Sequence, residues 1–258
     1  MSQGAVVYRR DGAVATVTFD RPQARNAMTW TMYEQLADAC ARIGTDSEVR
    51  VAVFRGAGGK AFVAGTDIAQ FTDFKSGEDG IEYEKRVARY LAAVDELHVP
   101  TLAVIEGWAI GGGLAITAVC DLRIATPESR FGVPIARTLG NCLSAANYAL
   151  LVAGFGLAAV KRMLLLAENL TAEEAHAAGF LTEVVDAGRI EARATEICER
   201  LCGNAPITMQ VTKEALRRLR HANLPDDSDL IRRTYGSEDF RNGVDAFVNK
   251  TTPRWKGS

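Results

Sequence analysis

Two glycine-containing segments, each following an apolar run rich in β-branched residues, constrain the fold of this chain most strongly. Residues 61–68 follow the run 49–54, and residues 106–113 follow the run 101–105. Each segment is predicted to be a small-residue turn that leads into a helix, which leaves backbone N–H groups unpaired at the positive end of the helix dipole. Two such turns facing each other would hold one negatively charged oxygen. The alternative is that their glycines only permit tight packing.

Composition limits the classes of protein that this chain can belong to. Its 258 residues, 48% of them hydrophobic and 24% charged, can bury a full core as one domain or a domain plus an appendage. Thirty Lys and Arg against 32 Asp and Glu, with no basic block, argue against a nucleic-acid partner. No apolar run approaches the roughly 18 residues of a membrane span, and residues 1–10 lack the order of a signal peptide. We therefore expect a cytoplasmic protein with no membrane partner.

Cysteine and histidine residues predict neither a disulfide framework nor a metal site. Five cysteines, an odd number, are scattered among apolar neighbours: Cys40, Cys120, Cys142, Cys198 and Cys202. The last two are four residues apart on a helical pattern, but they have no partner histidine nearby and are expected to pack. The three histidines, His98, His176 and His221, are isolated along the chain. No metal is assigned.

Hydrophobic periodicity predicts alternating strands and helices in the first half and mostly helices in the second. Residues 6–9 and 13–19 flank Asp11-Gly12 as a β-hairpin, and Thr29 is a candidate N-cap for a helix over residues 32–43. Strands over residues 49–54, 101–105 and 121–125 alternate with helices, which favours parallel strands joined by right-handed crossovers. Helices are predicted over residues 144–152, 157–166, 171–178, 190–201 and 207–220, with residues 179–185 as a strand-like interruption.

The two glycine segments together resemble the signature of the crotonase (enoyl-CoA hydratase/isomerase) family. The matching residues are Phe62-x-Ala64-Gly65-x-Asp67-Ile68 and Gly107-x-Ala109-x-Gly111-Gly112-Gly113. In that family two backbone N–H groups polarise the thioester carbonyl of an acyl-CoA, and the matching donors here are Thr66 and Gly112. The resemblance covers nearly the whole chain. It implies an α/β fold, with a crotonase-like ββα spiral core over residues 1–200 and a helical C-terminal trimerisation region over residues 201–258.

The same resemblance implies how coenzyme A binds. The residues that match substrate-binding positions are Ala24, Arg25, Ala27, Ala64, Asp67, Ile68 and Lys250. For the loop over residues 21–28, spacing alone fits an ordinary strand-to-helix connection equally well. Lys250 is either a phosphate contact or a solvated tail lysine, and Thr251 replaces a commonly basic neighbour. Phe71, Phe74 and Tyr83 either shape the acyl pocket or pack in the core.

Partners and cofactors also follow from the resemblance. It implies an acyl-CoA substrate, and a homotrimer or a dimer of trimers. Coenzyme A enters as part of the substrate, so no separate cofactor is expected.

The resemblance breaks at the two glutamates with which hydratases of the family transfer protons. The matching positions hold Ala115 and Ile135, neither of which can act as an acid or a base. Four polar residues near this point are candidates for the acyl pocket: Arg137, Thr138, Asn141 and Ser144. Helix capping is the alternative interpretation of the last three. Cys142 lacks a nearby histidine partner and is expected to be buried rather than nucleophilic.

Three functional interpretations remain open from the sequence. The first is an enoyl-CoA hydratase or isomerase whose proton transfer uses other groups. The second is an enzyme that needs only oxyanion stabilisation, such as a decarboxylase, or a thioester hydrolase of the same fold. The third is an acyl-CoA binding paralogue with little turnover.

Overall fold

The computed structural model describes residues 4–257, which form two β-sheets and the helices around them. The strands are β1 (Ala5–Asp11), β2 (Val14–Asp20), β3 (Val51–Gly56), β4 (Ala61–Ala64), β5 (Thr101–Ile105), β6 (Trp108–Ile110), β7 (Leu122–Ala125), β8 (Arg130–Gly132), β9 (Leu170–Thr171) and β10 (Glu183–Val184). The α-helices are α1 (Trp30–Thr45), α2 (Gly77–Asp95), α3 (Gly112–Val119), α4 (Ile135–Thr138), α5 (Ala145–Leu165), α6 (Ala172–Ala177), α7 (Ile190–Gly203), α8 (Pro206–His221), α9 (Ser228–Tyr235) and α10 (Glu238–Val248). Two short 3₁₀ turns are Pro22–Ala24 and Ile68–Phe71.

The larger sheet has six strands in the order β1-β2-β3-β5-β7-β10. β1 and β2 form the predicted antiparallel hairpin, and the other neighbouring strands pair in parallel. The central strand β3 is covered on both faces. Ala52 and Phe54 belong to the main core, whereas Val51 and Val53 pack with residues of α7. A strand buried on both faces favours apolar side chains throughout, which explains the continuous run that the sequence shows here.

The smaller sheet has four strands in the order β4-β6-β8-β9, and it corrects the sequence analysis. Residues 61–64 and 108–110 were predicted to lie in turns, but they form β4 and β6, which pair in parallel. These strands are three or four residues long and have no alternation that would identify them. Three times, a strand of each sheet is followed by a helix: β3-β4-α2, β5-β6-α3 and β7-β8-α4. This repeated unit is the ββα spiral that the family resemblance implies.

Helix ends follow the capping patterns of the sequence. Thr29 caps α1, and its hydroxyl accepts a hydrogen bond from the Met32 amide at 3.2 Å. Thr171 and Glu174 form the predicted capping box of α6. The two helices predicted over residues 144–166 are joined in α5, which is interrupted at Gly156, where φ is 74° and ψ is 156°. This left-handed backbone explains why a glycine occupies the break.

The C-terminal helices α9 and α10 return to the body of the protein. Tyr235 and Phe240 are buried with Phe71 and Ile81 in a separate apolar cluster. Helix α8 instead exposes several large apolar side chains, which are Ile207, Val211, Leu216 and Leu219. The predicted boundary at residue 200 lies within α7 and stays a prediction.

Helix α5 is long and apolar enough to cross a membrane, which the sequence analysis did not expect. It has 21 residues. Its most apolar stretch of 18 residues has a mean hydropathy of 1.6, and 28% of that stretch is buried. Core helices of globular proteins pass the same test, and Leu150, Leu151 and Phe155 of α5 are buried in the core. A single helix of this kind is a weak indication of a membrane span.

Candidate active site

A buried asparagine fixes the loop that precedes α1. Asn26 is fully buried with φ 59°, and its amide nitrogen donates to the carbonyl oxygens of Ala57 at 3.0 Å and Ala61 at 2.8 Å. Its side-chain oxygen accepts a hydrogen bond from the Arg21 amide at 2.9 Å. No role was predicted for Asn26 from the sequence, although asparagine in a turn with left-handed backbone is a recognisable signal. These bonds hold the loop against the start of β4.

The loop then runs beside the segment that follows β4. The Ala64 amide donates to the Arg25 carbonyl at 3.0 Å, and the Met28 amide donates to the Gly65 carbonyl at 2.9 Å. The Asp67 amide in turn donates to the Met28 carbonyl at 2.9 Å. The structure therefore brings together the two stretches that contain Ala24, Arg25, Ala27, Ala64, Asp67 and Ile68.

The charged residues of these stretches differ in exposure and partners. Asp67 forms an ion pair with Arg21 at 2.8 Å and caps the following 3₁₀ turn through the Ala69 amide. Its carboxylate therefore has a structural role. Arg25 is exposed, with its guanidinium carbon 6.0 Å from the centroid of the Trp108 ring. Lys250 is exposed beyond the end of α10, and its part in binding stays a prediction.

Gly112 and Thr66 meet where α3 begins. A Cβ on Gly112 would lie 3.9 Å from the Thr66 amide nitrogen and 3.1 Å from Thr66 Oγ1. As the first residue of α3, Gly112 has no partner for its N–H inside the helix. The backbone bonds around Thr66 use the Gly65 carbonyl and the Asp67 amide, and within residues 4–257 the Thr66 N–H has no protein acceptor. Among the described residues neither N–H has a protein acceptor, and the two groups lie close together.

Neighbouring glycines of this segment serve packing. A Cβ on Gly113 would lie 2.0 Å from the Val63 carbonyl oxygen, so only glycine lets α3 approach β4. Gly111 has φ 54°, a left-handed conformation that favours glycine. The packing interpretation is therefore correct for these two glycines. At Gly112 the atoms in the way are the hydroxyl oxygens of Tyr33, at 2.7 Å, and Thr66.

Two tyrosines contribute hydroxyl groups at this place. Thr66 Oγ1 lies 2.9 Å from the Tyr33 hydroxyl and 3.3 Å from the Tyr83 hydroxyl. Burial raises the pKa of Tyr33 to about 12 and that of Tyr83 well above its ordinary value, so both are neutral near pH 7. Tyr33 was missed because its spacing with Leu36 and Cys40 on the buried face of α1 is typical of core residues.

The side of the site that contains Ala115 is apolar. A cavity of about 10 Å³, room for about one water molecule, is lined by Gly111, Ala115, Val133, Leu143, Asn147, Leu150 and Leu151. Among the described residues of that lining, Asn147 is the one polar side chain and none is a carboxylate. Ile135 also packs against the main core.

A buried carboxyl group, which the sequence analysis missed, lies on α2. Glu84 Oε2 accepts a hydrogen bond from the Ser144 amide at 3.1 Å, and Oε1 accepts one from the Tyr235 hydroxyl at 2.9 Å. Burial is the main reason why the pKa of Glu84 is raised to about 7. Its position three residues before Val87, on the apolar face of α2, was the available signal.

The four polar residues predicted near the acyl pocket separate into two pairs. Asn141 donates to the Tyr235 hydroxyl at 3.2 Å, and Ser144 is the N-cap of α5, so both lie beside Glu84. Within the described residues, Asn141 Oδ1 and the Ser144 hydroxyl are buried without a partner. Arg137 is exposed on α4, and the Thr138 hydroxyl donates to the Pro134 carbonyl at 2.9 Å.

Nucleophilic and metal-binding alternatives find no support in the described part of the chain. Cys142 was expected to be buried but is half-buried, and this partial burial raises the pKa of its thiol to about 11, which disfavours the reactive thiolate. Residues 4–257 contain no group of three His, Cys, Asp or Glu side chains placed to hold a metal ion.

Comparison with known proteins identifies the family to which this chain belongs. Residues 9–258 match the family described as enoyl-CoA hydratase/isomerase. The chain is similar to the short-chain-enoyl-CoA hydratase of Clostridium acetobutylicum (30% identical, 97% of each chain covered) and to the 2,3-dehydroadipyl-CoA hydratase of Escherichia coli (27% identical, 98% of each covered). The chain therefore belongs to the enoyl-CoA hydratase/isomerase family of acyl-CoA enzymes.

Solved structures agree with this assignment. The chain is similar to a methylmalonyl-CoA decarboxylase in complex with 2-nitronate-propionyl-CoA, with a TM-score of 0.90 at 26% identity and 98% of each chain covered. It is also similar to an enoyl-CoA hydratase/carnithine racemase from Magnetospirillum magneticum, with a TM-score of 0.80 at 30% identity, covering 100% of this chain and 97% of the other.

Proposed function

We propose that this protein processes an acyl-CoA thioester through an enolate whose oxygen is held by the backbone N–H groups of Thr66 and Gly112. The observation that carries the proposal is the meeting of these two unpaired amides at the start of α3. An enolate oxygen bears negative charge. Fixed N–H donors and the positive end of a helix dipole stabilise such charge, and one donor of this kind contributes roughly 10²–10³ in rate.

Coenzyme A is proposed to lie along the paired stretches around residues 24–28 and 64–68. Their backbone hydrogen bonds form a continuous edge, and the exposed Arg25 supplies a positive charge for a phosphate. Since Asp67 is paired with Arg21, its contribution is to hold the edge in place and not to contact the nucleotide with its carboxylate. Lys250 is proposed as a second phosphate contact.

Hydration is not the reaction that this site favours. Ala115 and Ile135 occupy the positions of the two hydratase glutamates, so neither can activate water or protonate carbon. An isomerase or hydratase reaction would require other proton-transfer groups. We propose that the enolate itself, and not water addition, is what the site is built to stabilise.

A decarboxylase is the second candidate, and the apolar cavity beside Ala115 favours it. Loss of CO2 generates an enolate without a base, and an apolar surrounding destabilises a carboxylate that must leave. The cavity lining has one polar side chain, Asn147, and the chain is similar to a methylmalonyl-CoA decarboxylase with a TM-score of 0.90. A thioester hydrolase and a binding paralogue without turnover remain outcomes of the test.

We also propose that the protein forms a homotrimer or a dimer of trimers in the cytoplasm, without a separate cofactor. The exposed apolar residues of α8 and of the end of α10, such as Leu219 and Phe247, support an assembly that covers them.

The experiment that tests the function is mass-spectrometric turnover of a small acyl-CoA panel, with water-addition, isomerised, CO2-loss and hydrolysis products all monitored. Binding of 2-nitronate-propionyl-CoA, which carries a delocalised negative charge beside the thioester, is compared with binding of propionyl-CoA. Tighter binding of the nitronate together with turnover supports the proposal. Binding without turnover of any thioester would leave only the paralogue interpretation.

A further inference from the structure

Three hydroxyl groups form a row at the place where the two amides meet. Thr66 Oγ1 lies between the hydroxyls of Tyr33 and Tyr83, at 2.9 Å and 3.3 Å. A Cβ on Gly112 would lie 2.7 Å from the Tyr33 oxygen and 3.1 Å from Thr66 Oγ1. The row therefore begins against the first residue of α3 and leads from there to α2.

This row contains one proton more than its own hydrogen bonds use. Three hydroxyls carry three protons, and the two contacts of the row take up two of them. Within residues 4–257 these hydroxyls make no further hydrogen bond. When Tyr83 donates to Thr66 and Thr66 donates to Tyr33, the O–H that remains is that of Tyr33, the hydroxyl nearest to Gly112.

Packing fixes the Tyr33 ring. Tyr33 is fully buried, its ring stacks on Tyr90 with centroids 5.3 Å apart, and the Trp30 ring lies 5.8 Å away. Burial raises the pKa of Tyr33 to about 12, so this hydroxyl stays protonated well above pH 7 and its fixed ring holds it beside the first residue of α3.

We propose that Tyr33 is a catalytic residue whose hydroxyl donates a third hydrogen bond to the enolate oxygen held by the Thr66 and Gly112 amides. The hydroxyls of Thr66 and Tyr83 are positioning groups that direct this O–H. The inference rests on the proposed function, since it concerns the same oxygen atom. The Tyr33 hydroxyl donates a hydrogen bond to the enolate oxygen and keeps its proton throughout.

The test measures how strongly the full chain prefers 2-nitronate-propionyl-CoA over propionyl-CoA, by calorimetry. Tyr33→Phe removes the O–H and keeps the ring, so we expect the preference to fall roughly 10–100-fold, as for loss of a hydrogen bond to a charged group. Tyr90→Phe removes a hydroxyl from the same ring stack but outside the row. This matched control is expected to leave the preference unchanged.

Two substitutions at Thr66 test the positioning role while the backbone amide remains. Thr66→Val removes the hydroxyl, so the Tyr33 O–H loses its direction and the preference falls by less than in Tyr33→Phe. Thr66→Ser keeps the hydroxyl and is expected to retain the preference. If the Thr66 hydroxyl had a purely structural role, Thr66→Val would weaken binding of both ligands equally. The ratio of the two affinities would then stay the same.

The parent chain separates this inference from the proposed function. A parent that prefers the nitronate, with Tyr33→Phe melting normally and keeping the full preference, rules out the third donor and leaves the proposed function standing. A parent that binds both ligands equally overturns the proposed function and this inference with it. If Tyr33→Phe does not fold, equal preferences in Thr66→Val and Thr66→Ser overturn the inference.

Discussion

The two sides of the candidate site differ in chemistry. On one side, the amide wall, Thr66 and Gly112 have N–H groups without an acceptor among the described residues, beside the Tyr33 hydroxyl. On the other, the apolar wall, Ala115, Val133 and Leu143 line a cavity with room for about one water molecule. The amide wall contains what stabilises a negative oxygen, whereas the apolar wall lacks the carboxylates that move protons. This difference is why we propose that the site stabilises an enolate and does not add water.

The largest expected effect comes from giving the apolar wall its two carboxylates. Ala115→Glu combined with Ile135→Glu should raise hydration of crotonyl-CoA, because each acid or base group contributes about 10²–10⁴-fold. The cavity is too small for the new side chains, so the variant should also lose about 1–3 kcal/mol of stability. The measurements are hydration kcat/KM and thermal melting.

The matched control for this variant is Ala115→Gln with Ile135→Gln, which adds similar volume without a titratable group. Hydration should stay at the parent level in the control. Efficient hydration by the unmodified chain would contradict the comparison, since another group would then be activating water.

Breaking the amide wall should abolish whatever acyl-CoA chemistry the panel reveals. Gly112→Val places a side chain against the Tyr33 and Thr66 hydroxyls and displaces the N–H, so we expect a loss of about 3–4 kcal/mol of transition-state stabilisation. Thr66→Pro removes the other N–H outright, with Thr66→Ser as its control. The checks are kcat/KM and melting temperature.

Substitutions at two other glycines show whether the loss of turnover is specific to Gly112. Gly44 on α1 has open space around it, so Gly44→Ala should change neither turnover nor folding. Gly113→Ala should instead destabilise the fold, because its Cβ would lie 2.0 Å from the Val63 carbonyl oxygen. If the Gly112→Val and Thr66→Pro proteins fold and keep full turnover, the two amides do not stabilise the transition state.

Glu84 is a buried carboxyl group that could serve the site in place of the missing glutamates. The pH dependence of the free energy of unfolding and of turnover tests this. Because its pKa is raised from 4.5 to about 7 in the folded protein, its contribution to stability is present below pH 4.5 and is lost as the pH rises through 7. The loss amounts to about 3 kcal/mol at 1.36 kcal/mol per pKa unit. Urea unfolding of the parent and of Glu84→Gln at pH 5 and pH 8 measures it.

We expect Glu84→Gln to remove this pH dependence and to leave turnover unchanged, because both carboxylate oxygens are occupied by the Ser144 amide and the Tyr235 hydroxyl. A large loss of kcat, with a pH profile that inflects near 7, would show that Glu84 transfers protons. The site would then no longer lack a carboxylate.

The smallest expected effect lies at the rim of the site. Arg25 is exposed, so Arg25→Ala should weaken binding of coenzyme A only about 2–5-fold, the range of a solvent-exposed ion pair, and less at high salt. Calorimetry at two salt concentrations measures this. An equal loss at both concentrations would exclude a phosphate contact.

The sequence predicts the strands of the larger sheet and the approach of the Thr66 and Gly112 segments, because each depends on a local pattern or a family motif. It fails at β4 and β6, whose three or four residues carry no period and are strands only because neighbouring strands pair with them. Tyr33 and Glu84 look like core positions of amphipathic helices, and Tyr83 was singled out only as a pocket or core residue, not for its hydroxyl. Their hydroxyl and carboxyl partners come from distant segments, so only the packing of α1, α2 and α9 reveals them.

The central claim, that the Thr66 and Gly112 amides hold a negative oxygen, is tested most directly by the affinity of the parent and Gly112→Ala for 2-nitronate-propionyl-CoA and propionyl-CoA. We predict that the parent binds the nitronate more tightly than propionyl-CoA, and that Gly112→Ala loses most of that difference while remaining folded. Equal affinities for the two ligands in the parent, or an unchanged difference in folded Gly112→Ala, would contradict the claim.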